Sequence, residues 1–299
     1  MTRELRIGIA SLRAMPGDVT ANLAQVAWAV TQASQVGCDL LLTPEMSATG
    51  YGGYAEVVAC AEVAGQGPIY AHVAEMAHRS GVVVCVGFVE QAAHQRHLAH
   101  YVVYPDGRFV VQRKNRVTPR EYPLDAAVPL WFDDSEEIGH VDAAEADWQF
   151  FFVNGVRCGI VICADLGVKS LHHYFQQQGI ELMLLPTGAG GTRGERMTTA
   201  EIHAPGGMDR YMTAMQWACF PGDGIKECLT YGRALAAVNL CGYDGRQFYH
   251  GGQGSIVDRF GDVHALIPGI ANLDRQQARF THAHIDFDDV GGAPTGDVR

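Results

Sequence analysis

Three residues of different chemical type each follow an apolar stretch of the chain: Glu45, Lys114 and Cys163. A cysteine thiol can attack an electrophilic carbon, a carboxylate can accept the thiol proton, and an ammonium group can stabilise the oxyanion that forms. Placed in one crevice, the three groups would make a nucleophilic site. Because a single charged residue at a strand end is usually just a solvated side chain, the hypothesis requires that all three meet.

Cys163 follows the apolar, β-branched run 160–162, and Ala164 and Asp165 come directly after it. This pattern is typical of a buried strand that emerges into a turn. Such turns present side chains to ligands in α/β sheets, and the backbone N–H of Ala164 could donate to an oxyanion. The competing interpretation is a buried cysteine that behaves as a small hydrophobic residue.

The elements before Glu45 follow the order β-α-β. Strands are predicted over 5–10 and 39–45, and the apolar residues of 22–35 between them recur with a helical period. A crossover of this kind makes the two strands parallel, which places Glu45 at the carboxyl end where such sheets bind ligands. The glycine-rich loop that follows carries Tyr51 and is interpreted equally well as a pocket wall or a surface loop.

Two hairpins lead to the other candidate residues. A turn at 105–107 would bring Lys114 to a strand end, and the turn dipeptide 154–155 precedes the strand that leads to Cys163. The stretch 187–224 is predicted to be a long loop with some helix, of the kind that often carries function. Other strands are predicted over 81–90, 98–104, 108–114, 150–153, 156–163, 181–186, 236–241, 263–267 and 283–287, and other helices over 70–80, 170–178 and 227–235.

The composition excludes several classes of protein. The 299 residues include 22 basic and 33 acidic ones, a formal charge of −11, and this argues against a nucleic-acid or anionic-membrane partner. No apolar run approaches the ~20 residues that cross a bilayer, and the first residues lack the apolar segment of a signal peptide. We therefore expect a cytoplasmic protein.

The chain lacks low-complexity linkers and short repeats, so we expect one domain over residues 1–287 and an acidic, glycine-rich tail over 288–299. Eight cysteines are present, but none form a Cys-x-x-Cys pair, which predicts free thiols and no structural zinc site. His94, His97 and His100 have the spacing of one helix face but lie in a turn-and-strand region, so we expect no metal there.

No nucleotide cofactor is expected either. The glycines at 188, 190, 191 and 194 follow a predicted strand, but they miss the dinucleotide-binding spacing because position 193 is arginine. The sequence also contains no Gly-Lys-Ser/Thr phosphate loop. We therefore predict chemistry that uses side chains alone, without a cofactor.

Three segments resemble, in the right order, those of the nitrilase superfamily of carbon–nitrogen hydrolases. Residues 42–45 resemble the segment of the general base, Arg113 and Lys114 after a Pro-Asp-Gly hairpin resemble the lysine segment, and 159–165 resemble the nucleophile segment. The resemblance runs from Ile7 to about Asp286. Further matches are Arg233-Ala234 with Asn239, and 254–258 with Gly261.

The resemblance implies an α-β-β-α sandwich in which helices flank two mixed sheets. It also implies that two sandwiches associate across a helix layer, so that a homodimer or a larger homo-oligomer is expected. Many members carry a second glutamate shortly after the lysine, and Glu121 is the candidate here. In that family the residues matching Cys163, Glu45 and Lys114 are the nucleophile, the general base and the catalytic lysine.

The chain departs from the family pattern after the nucleophile, where many amidases have an aromatic residue and nitrilases have Trp-Glu. Ala164 and Asp165 stand there instead. We expect a thiol hydrolase that cleaves a small linear amide or carbamoyl compound through a thioester, with Tyr51, Ala164 and Asp165 binding the substrate. The alternatives are nitrile hydrolysis, acyl transfer from an amide, and a non-catalytic binding or scaffold protein. Four residues could either bind an anionic group of the substrate or be ordinary surface residues: His172, His173, Arg193 and Arg196.

Overall fold

Two six-stranded sheets lie at the centre of the protein in a computed structural model that describes residues 3–192, 204–206, 226, 229–269 and 277–288. The strands are β1 (Glu4–Ser11), β2 (Leu40–Leu42), β3 (Val83–Ala92), β4 (Gln95–Val103), β5 (Phe109–Arg113), β6 (Phe150–Val153), β7 (Val156–Ile160), β8 (Leu182–Thr187), β9 (Gly190–Thr192), β10 (Ala234–Asn239), β11 (Cys241–Tyr243), β12 (Phe248–Gly251), β13 (Gly254–Val257), β14 (Val263–Ile267) and β15 (Arg279–Asp286). The helices are α1 (Val19–Gln35), α2 (Ala55–Val58), α3 (Pro68–Ser80) and α4 (Leu171–Gln177), with 3₁₀ helices at Pro119–Glu121 and Cys163–Gly167.

Each large sheet has parallel strands in its middle and antiparallel strands at its edges. The first sheet has the order β15-β1-β2-β3-β4-β5, in which β1, β2 and β3 are parallel. The second has the order β14-β13-β10-β8-β7-β6, in which β10, β8 and β7 are parallel. In each sheet, the segments that follow the parallel strands therefore leave from one edge.

Three apolar layers hold the sheets and helices together. Alternate residues of β1, such as Ile7, point between the sheets and share a core with residues of β7 such as Ile160. Val26 of α1 and Val73 of α3 cover the outer face of the first sheet, and Phe175 of α4 covers the second. Each large apolar side chain buried in this way contributes about 1.5–3 kcal/mol. The layer order is α-β-β-α, which confirms the predicted fold class.

The long helices of the outer layer begin and end at residue types that are favoured at helix termini. The carboxylate of Asp18 accepts a hydrogen bond of 3.0 Å from the Ala21 N–H and caps α1. α3 begins at Pro68, whose missing N–H is not needed in a first turn, and Gly81 closes the helix with a φ of +73°.

The hairpin that leads to Cys163 is present, with Asn154 and Gly155 both at positive φ as its turn requires. The strand ends earlier than predicted, because β7 stops at Ile160. Val161 still donates its N–H to the Leu184 carbonyl, but Cys163 has left the extended conformation and begins a 3₁₀ helix.

A third, small sheet of β11, β12 and β9 was not predicted. The predicted loop 187–224 begins with the end of β8 and with β9, whose Gly190 pairs with His250 of β12. The predicted helix 227–235 ends too late, because Ala234 already pairs with Leu182 in the parallel ladder of the second sheet. Most of 193–225, with Arg193 and Arg196, lies outside the described residues, as do 227–228 and the tail from 289 onward.

Among the helices that the structure describes, none combines the length and the apolar character needed to cross a membrane.

Candidate active site

Lys114 lies between two carboxylates in the interior of the protein. Its Nζ donates to Oε1 of Glu45 at 2.6 Å and to Oε1 of Glu121 at 2.5 Å. All three side chains are fully buried. Charges are tolerated in such surroundings when they are paired and hydrogen-bonded, and breaking one such pair is costly. The structure thus joins three residues that are up to 76 positions apart in the chain into one ion cluster.

Glu45 and Lys114 each lie just beyond the end of a strand. Glu45 follows β2 in a turn held by Thr43, which donates both its N–H and its Oγ1–H to the Cys85 carbonyl of β3. Lys114 follows β5 directly, and its N–H still donates to the Leu98 carbonyl of β4 at 2.8 Å. The backbone of each residue is therefore fixed by the first sheet, while its side chain reaches beyond the sheet.

Cys163 begins the 3₁₀ helix Cys163–Gly167 with a φ of +48°, in the left-handed region. This conformation costs a residue other than glycine about 1–2 kcal/mol, so the surrounding structure must impose it. Ala164 lies in the first turn, where backbone N–H groups have no partner inside the helix. The turn therefore offers a sulfur atom and an adjacent N–H donor together.

The Gly188 N–H connects the sulfur to the carboxylates. It donates to Oε2 of Glu45 at 2.7 Å and also faces the Cys163 sulfur. Glu45, Lys114 and Glu121 all interact electrostatically with the Cys163 thiol. The site therefore contains a thiol, a carboxylate and an ammonium group that interact electrostatically with one another.

Burial sets the protonation of the resting site. It raises the pKa of Glu45 to about 7, even though the Lys114 ammonium lowers it. Burial alone would lower the pKa of Lys114, but the Glu121 and Glu45 charges outweigh it and hold that pKa well above the ordinary value. Burial raises the pKa of Cys163 well above its usual range, and the charge of Glu45 adds to this effect. The resting site thus holds a neutral thiol beside a carboxylate that can take its proton.

Glu121 uses both oxygens for positioning. Oε1 accepts from Lys114 and from the Tyr51 hydroxyl at 3.0 Å, and Oε2 accepts from the Thr118 backbone N–H at 2.8 Å. The Tyr51 ring packs edge-to-face against Phe248, at 5.9 Å between ring centroids. Tyr51 is therefore held in the wall of the site, and Glu121 holds the ammonium in place.

The sequence indicated that the stretch 187–224 could carry function but did not single out Gly188, because its glycines were compared with a dinucleotide-binding loop. Gly188 follows β8, and the carbonyl of the next residue, Ala189, accepts from Asn239 Nδ2 at 2.9 Å. β9 then anchors the chain to β12. A glycine directly after a buried strand was the signal available, since it allows close backbone approach to the Glu45 side chain.

Gly188→Ala is expected to lower kcat/KM for the substrate at least about tenfold. The new Cβ would lie 2.3 Å from a ring carbon of Tyr51 and 3.0 Å from Oε2 of Glu45, so the strand or the ring must move. Steady-state kinetics and thermal unfolding measure the effect, with an expected stability loss of about 1–3 kcal/mol.

The control is Gly179→Ala, where the φ is +65° but no atom lies near the new Cβ. It should cost about 1–2 kcal/mol through the backbone alone and leave kcat/KM unchanged. Equal kinetics for the Gly188→Ala variant and the wild type would contradict the close packing described above.

Asp165, His172 and His173 were also considered as residues that contact the substrate. The Asp165 carboxylate accepts backbone hydrogen bonds from Asn115 and Arg116 rather than facing an open pocket. His172 and His173 belong to α4 in the outer helical layer, where the His172 ring stacks on Tyr231 with centroids 5.8 Å apart. Neither histidine is part of the ion cluster.

One group of potential metal ligands occurs among the residues that the structure describes: Asp133, Glu136 and His140. Asp133 is exposed and the other two are half-buried. None of the three belongs to the Lys114 cluster, and acidic groups at a surface often cluster without an ion. The cysteines of the described segments carry free thiols: Cys38, Cys60, Cys85, Cys158, Cys163 and Cys241.

Solved structures with the same architecture include two of carbon–nitrogen hydrolases. A mutant of the amidase from Nesterenkonia sp. AN1, in complex with butyramide, has a TM-score of 0.68 and 18% identity, over 96% of this chain and 92% of that one. A CN-hydrolase superfamily protein from Xanthomonas campestris, with an arsenic adduct in its active site, has a TM-score of 0.66 and 17% identity, over 94% and 90%. At these identities the likeness shows the fold.

Sequence comparisons identify the family. A protein named "Hydrolase in pqqF 5′ region" from Pseudomonas protegens is 25% identical over 187 residues, which cover 62% of this chain and only 60% of that protein. The family model described as carbon–nitrogen hydrolase matches residues 6–215, more than half of the chain. The protein belongs to the carbon–nitrogen hydrolase family.

Proposed function

We propose that the protein is a thiol hydrolase that cleaves the C–N bond of a small linear amide or carbamoyl compound through a thioester. One observation carries the proposal: Glu45 and Lys114 form a buried pair within electrostatic reach of the Cys163 sulfur. An ammonium group has three N–H donors. Glu45 and Glu121 occupy two of those of Lys114, which leaves the third for a substrate oxygen.

In the first half of the reaction, the Cys163 sulfur attacks the carbonyl carbon while Glu45 accepts the thiol proton. The carbonyl oxygen becomes an oxyanion, which Lys114 and the Ala164 N–H stabilise by hydrogen bonds. The C–N bond then breaks as the oxyanion collapses. Glu45 passes its proton to the nitrogen, so that ammonia or an amine leaves and a thioester remains.

In the second half, Glu45 takes a proton from a water molecule that attacks the thioester carbon. The same donors stabilise the second oxyanion. The C–S bond then breaks, the Cys163 sulfur regains a proton from Glu45, and the carboxylic acid leaves. Lys114 keeps its proton throughout, as its raised pKa requires.

The likeness to an amidase that binds butyramide supports a short amide as the first substrate to test. A panel of aliphatic amides, ureido acids and nitriles, read by ammonia release, separates the candidate substrate classes. The proposal expects release from at least one amide or carbamoyl compound. Turnover of nitriles alone would replace it with nitrile hydrolysis, and amide formation with added amines would indicate acyl transfer.

The pH dependence of kcat/KM follows from Glu45, which must be unprotonated to accept the thiol proton. Because burial raises its pKa to about 7, activity should rise with pH, level off above about pH 7.5 and fall about tenfold per pH unit below pH 6. Initial rates between pH 5 and 9 measure this. A profile that stays flat down to pH 5 would contradict the role of Glu45 as the base.

A further inference from the structure

Asp165 is a fully buried carboxylate that the reaction above does not use. Its Oδ1 accepts hydrogen bonds from the backbone N–H groups of Asn115 at 3.0 Å and Arg116 at 2.7 Å, and its Oδ2 lies 3.1 Å from the Asn115 nitrogen. These donors belong to the two residues after Lys114, where the chain has left β5. The carboxylate therefore accepts hydrogen bonds from a segment that is no longer paired with a strand of the sheet.

The same two segments are joined a second time, in the opposite direction. The guanidinium group of Arg116 donates to the Ala164 carbonyl at 3.1 Å and, through Nε, to the Gly139 carbonyl at 3.0 Å. Side-chain hydrogen bonds thus link the segment Lys114–Arg116 to the segment Cys163–Asp165, and each segment contributes one of the side chains. The bonds of Asp165 end one and two residues after Lys114, and the bond of Arg116 to Ala164 ends one residue after Cys163.

We propose that Asp165 is a positioning residue that fixes the Lys114 ammonium relative to the Cys163 sulfur. This inference rests on the proposed thiol hydrolysis. Misplacing a catalytic group by about 1 Å costs on the order of 100-fold in rate. The hydrogen bonds that Asp165 accepts from Asn115 and Arg116, called the clamp below, lie next to both residues. Their loss should therefore lower kcat.

Several charged groups interact with the Asp165 carboxylate. Glu45, Lys114 and Arg116 all interact with it, and Glu45 in turn faces Lys114 and Glu121. Burial raises the pKa of Asp165 to about 7, while Lys114 and the two backbone donors lower it. Because burial favours a neutral group here, an amide should be tolerated at this position.

Two variants separate the clamp from the charge. Asp165→Ala removes both, and we expect kcat to fall about 10- to 100-fold with KM changed less than about threefold. Asp165→Asn keeps an Oδ1 that can accept both N–H bonds but removes the charge. We expect it to keep kcat within about threefold of the wild type, because both backbone hydrogen bonds can still form.

Glu62→Ala is the matched control. Glu62 is also a buried carboxylate that accepts two consecutive backbone N–H groups, those of Ile69 and Tyr70, but it does so at the start of α3. We expect it to lower the unfolding temperature and leave kcat unchanged. Equal losses of kcat in Glu62→Ala and Asp165→Ala would show a general loss of folded protein and overturn the proposal.

The rate of Cys163 alkylation by iodoacetamide, read by peptide mass, tests the same geometry without a substrate. It should differ between Asp165→Ala and the wild type while Glu62→Ala matches the wild type. If no amide is hydrolysed by the wild type, the proposed function fails. The comparison of alkylation rates still tests whether Asp165 positions Cys163. Wild-type kcat and alkylation rate in Asp165→Ala, or an Asp165→Asn variant that loses as much kcat as Asp165→Ala, would overturn the role of Asp165.

Discussion

Cys163→Ala is expected to reduce amide hydrolysis by about 10⁴-fold or more. Without the sulfur no thioester can form, and Glu45 and Lys114 have no nucleophile to assist. Cys163→Ser should also lose most activity, because the hydroxyl is a much weaker nucleophile than a thiol at the same position. Ammonia release at saturating amide measures the loss, and an unchanged unfolding temperature shows that the variant is folded.

Cys60→Ala provides the control for this substitution. Cys60 is a half-buried thiol whose sulfur donates to the Glu56 carbonyl, and it is not one of the residues around Lys114. Its removal should leave ammonia release at the wild-type rate. Wild-type hydrolysis by the Cys163→Ala variant would instead mean that another nucleophile carries the reaction.

Lys114→Met is expected to lower kcat/KM by about 10³-fold, since it removes a donor aimed at the oxyanion and releases Glu45 and Glu121 from their shared partner. The two carboxylates would then face each other in a fully buried site. Breaking a buried ion pair in this way should also cost about 3–5 kcal/mol of stability near pH 8.

The stability loss in Lys114→Met should depend on pH with a definite sign. Lys114 lowers the pKa of Glu45, so its removal raises that pKa further above the unfolded value of about 4.3. A carboxylate with a raised pKa in the folded state is favoured when protonated, so the deficit should shrink as pH falls from 8 to 5.

Chemical unfolding at both pH values measures the deficit. Lys169→Met, which changes an exposed lysine beside the Trp131 ring, is the control and should change neither activity nor stability appreciably. A Lys114→Met variant as stable at pH 8 as the wild type would contradict the buried ion cluster.

The position of Glu45 and Lys114 in the fold could be predicted, because it depends on strands with strong local signals. The apolar residues of β2 and the hairpin before Lys114 define where each strand stops. β5 runs in the same direction as β2, because two antiparallel pairings separate it from β3, so both strands end at one edge of the sheet. The α-β-β-α fold class was predicted from the resemblance of three segments to a known family, whereas the alternation of strands and helices by itself predicted only parallel strands.

The contacts of Gly188 and Asp165 with distant segments could not be predicted. Gly188 donates to a carboxylate 143 residues away, and Asp165 accepts from residues some 50 positions earlier. Nothing local marks such bonds, since glycine and aspartate after a strand are also ordinary turn residues. The small third sheet escaped prediction for a related reason, because β9 and β11 have three residues each and only their pairing with β12 defines them as strands.

The most direct test of the account is the intact mass of the enzyme, quenched during turnover of a slowly hydrolysed amide and followed by peptide mapping. The account predicts an adduct with the mass of the amide minus ammonia, on the peptide that contains Cys163. The adduct should be absent from Cys163→Ala and unaffected by Cys60→Ala. An adduct on any other residue, or a Cys163 that stays unmodified while ammonia accumulates in a burst, would contradict it.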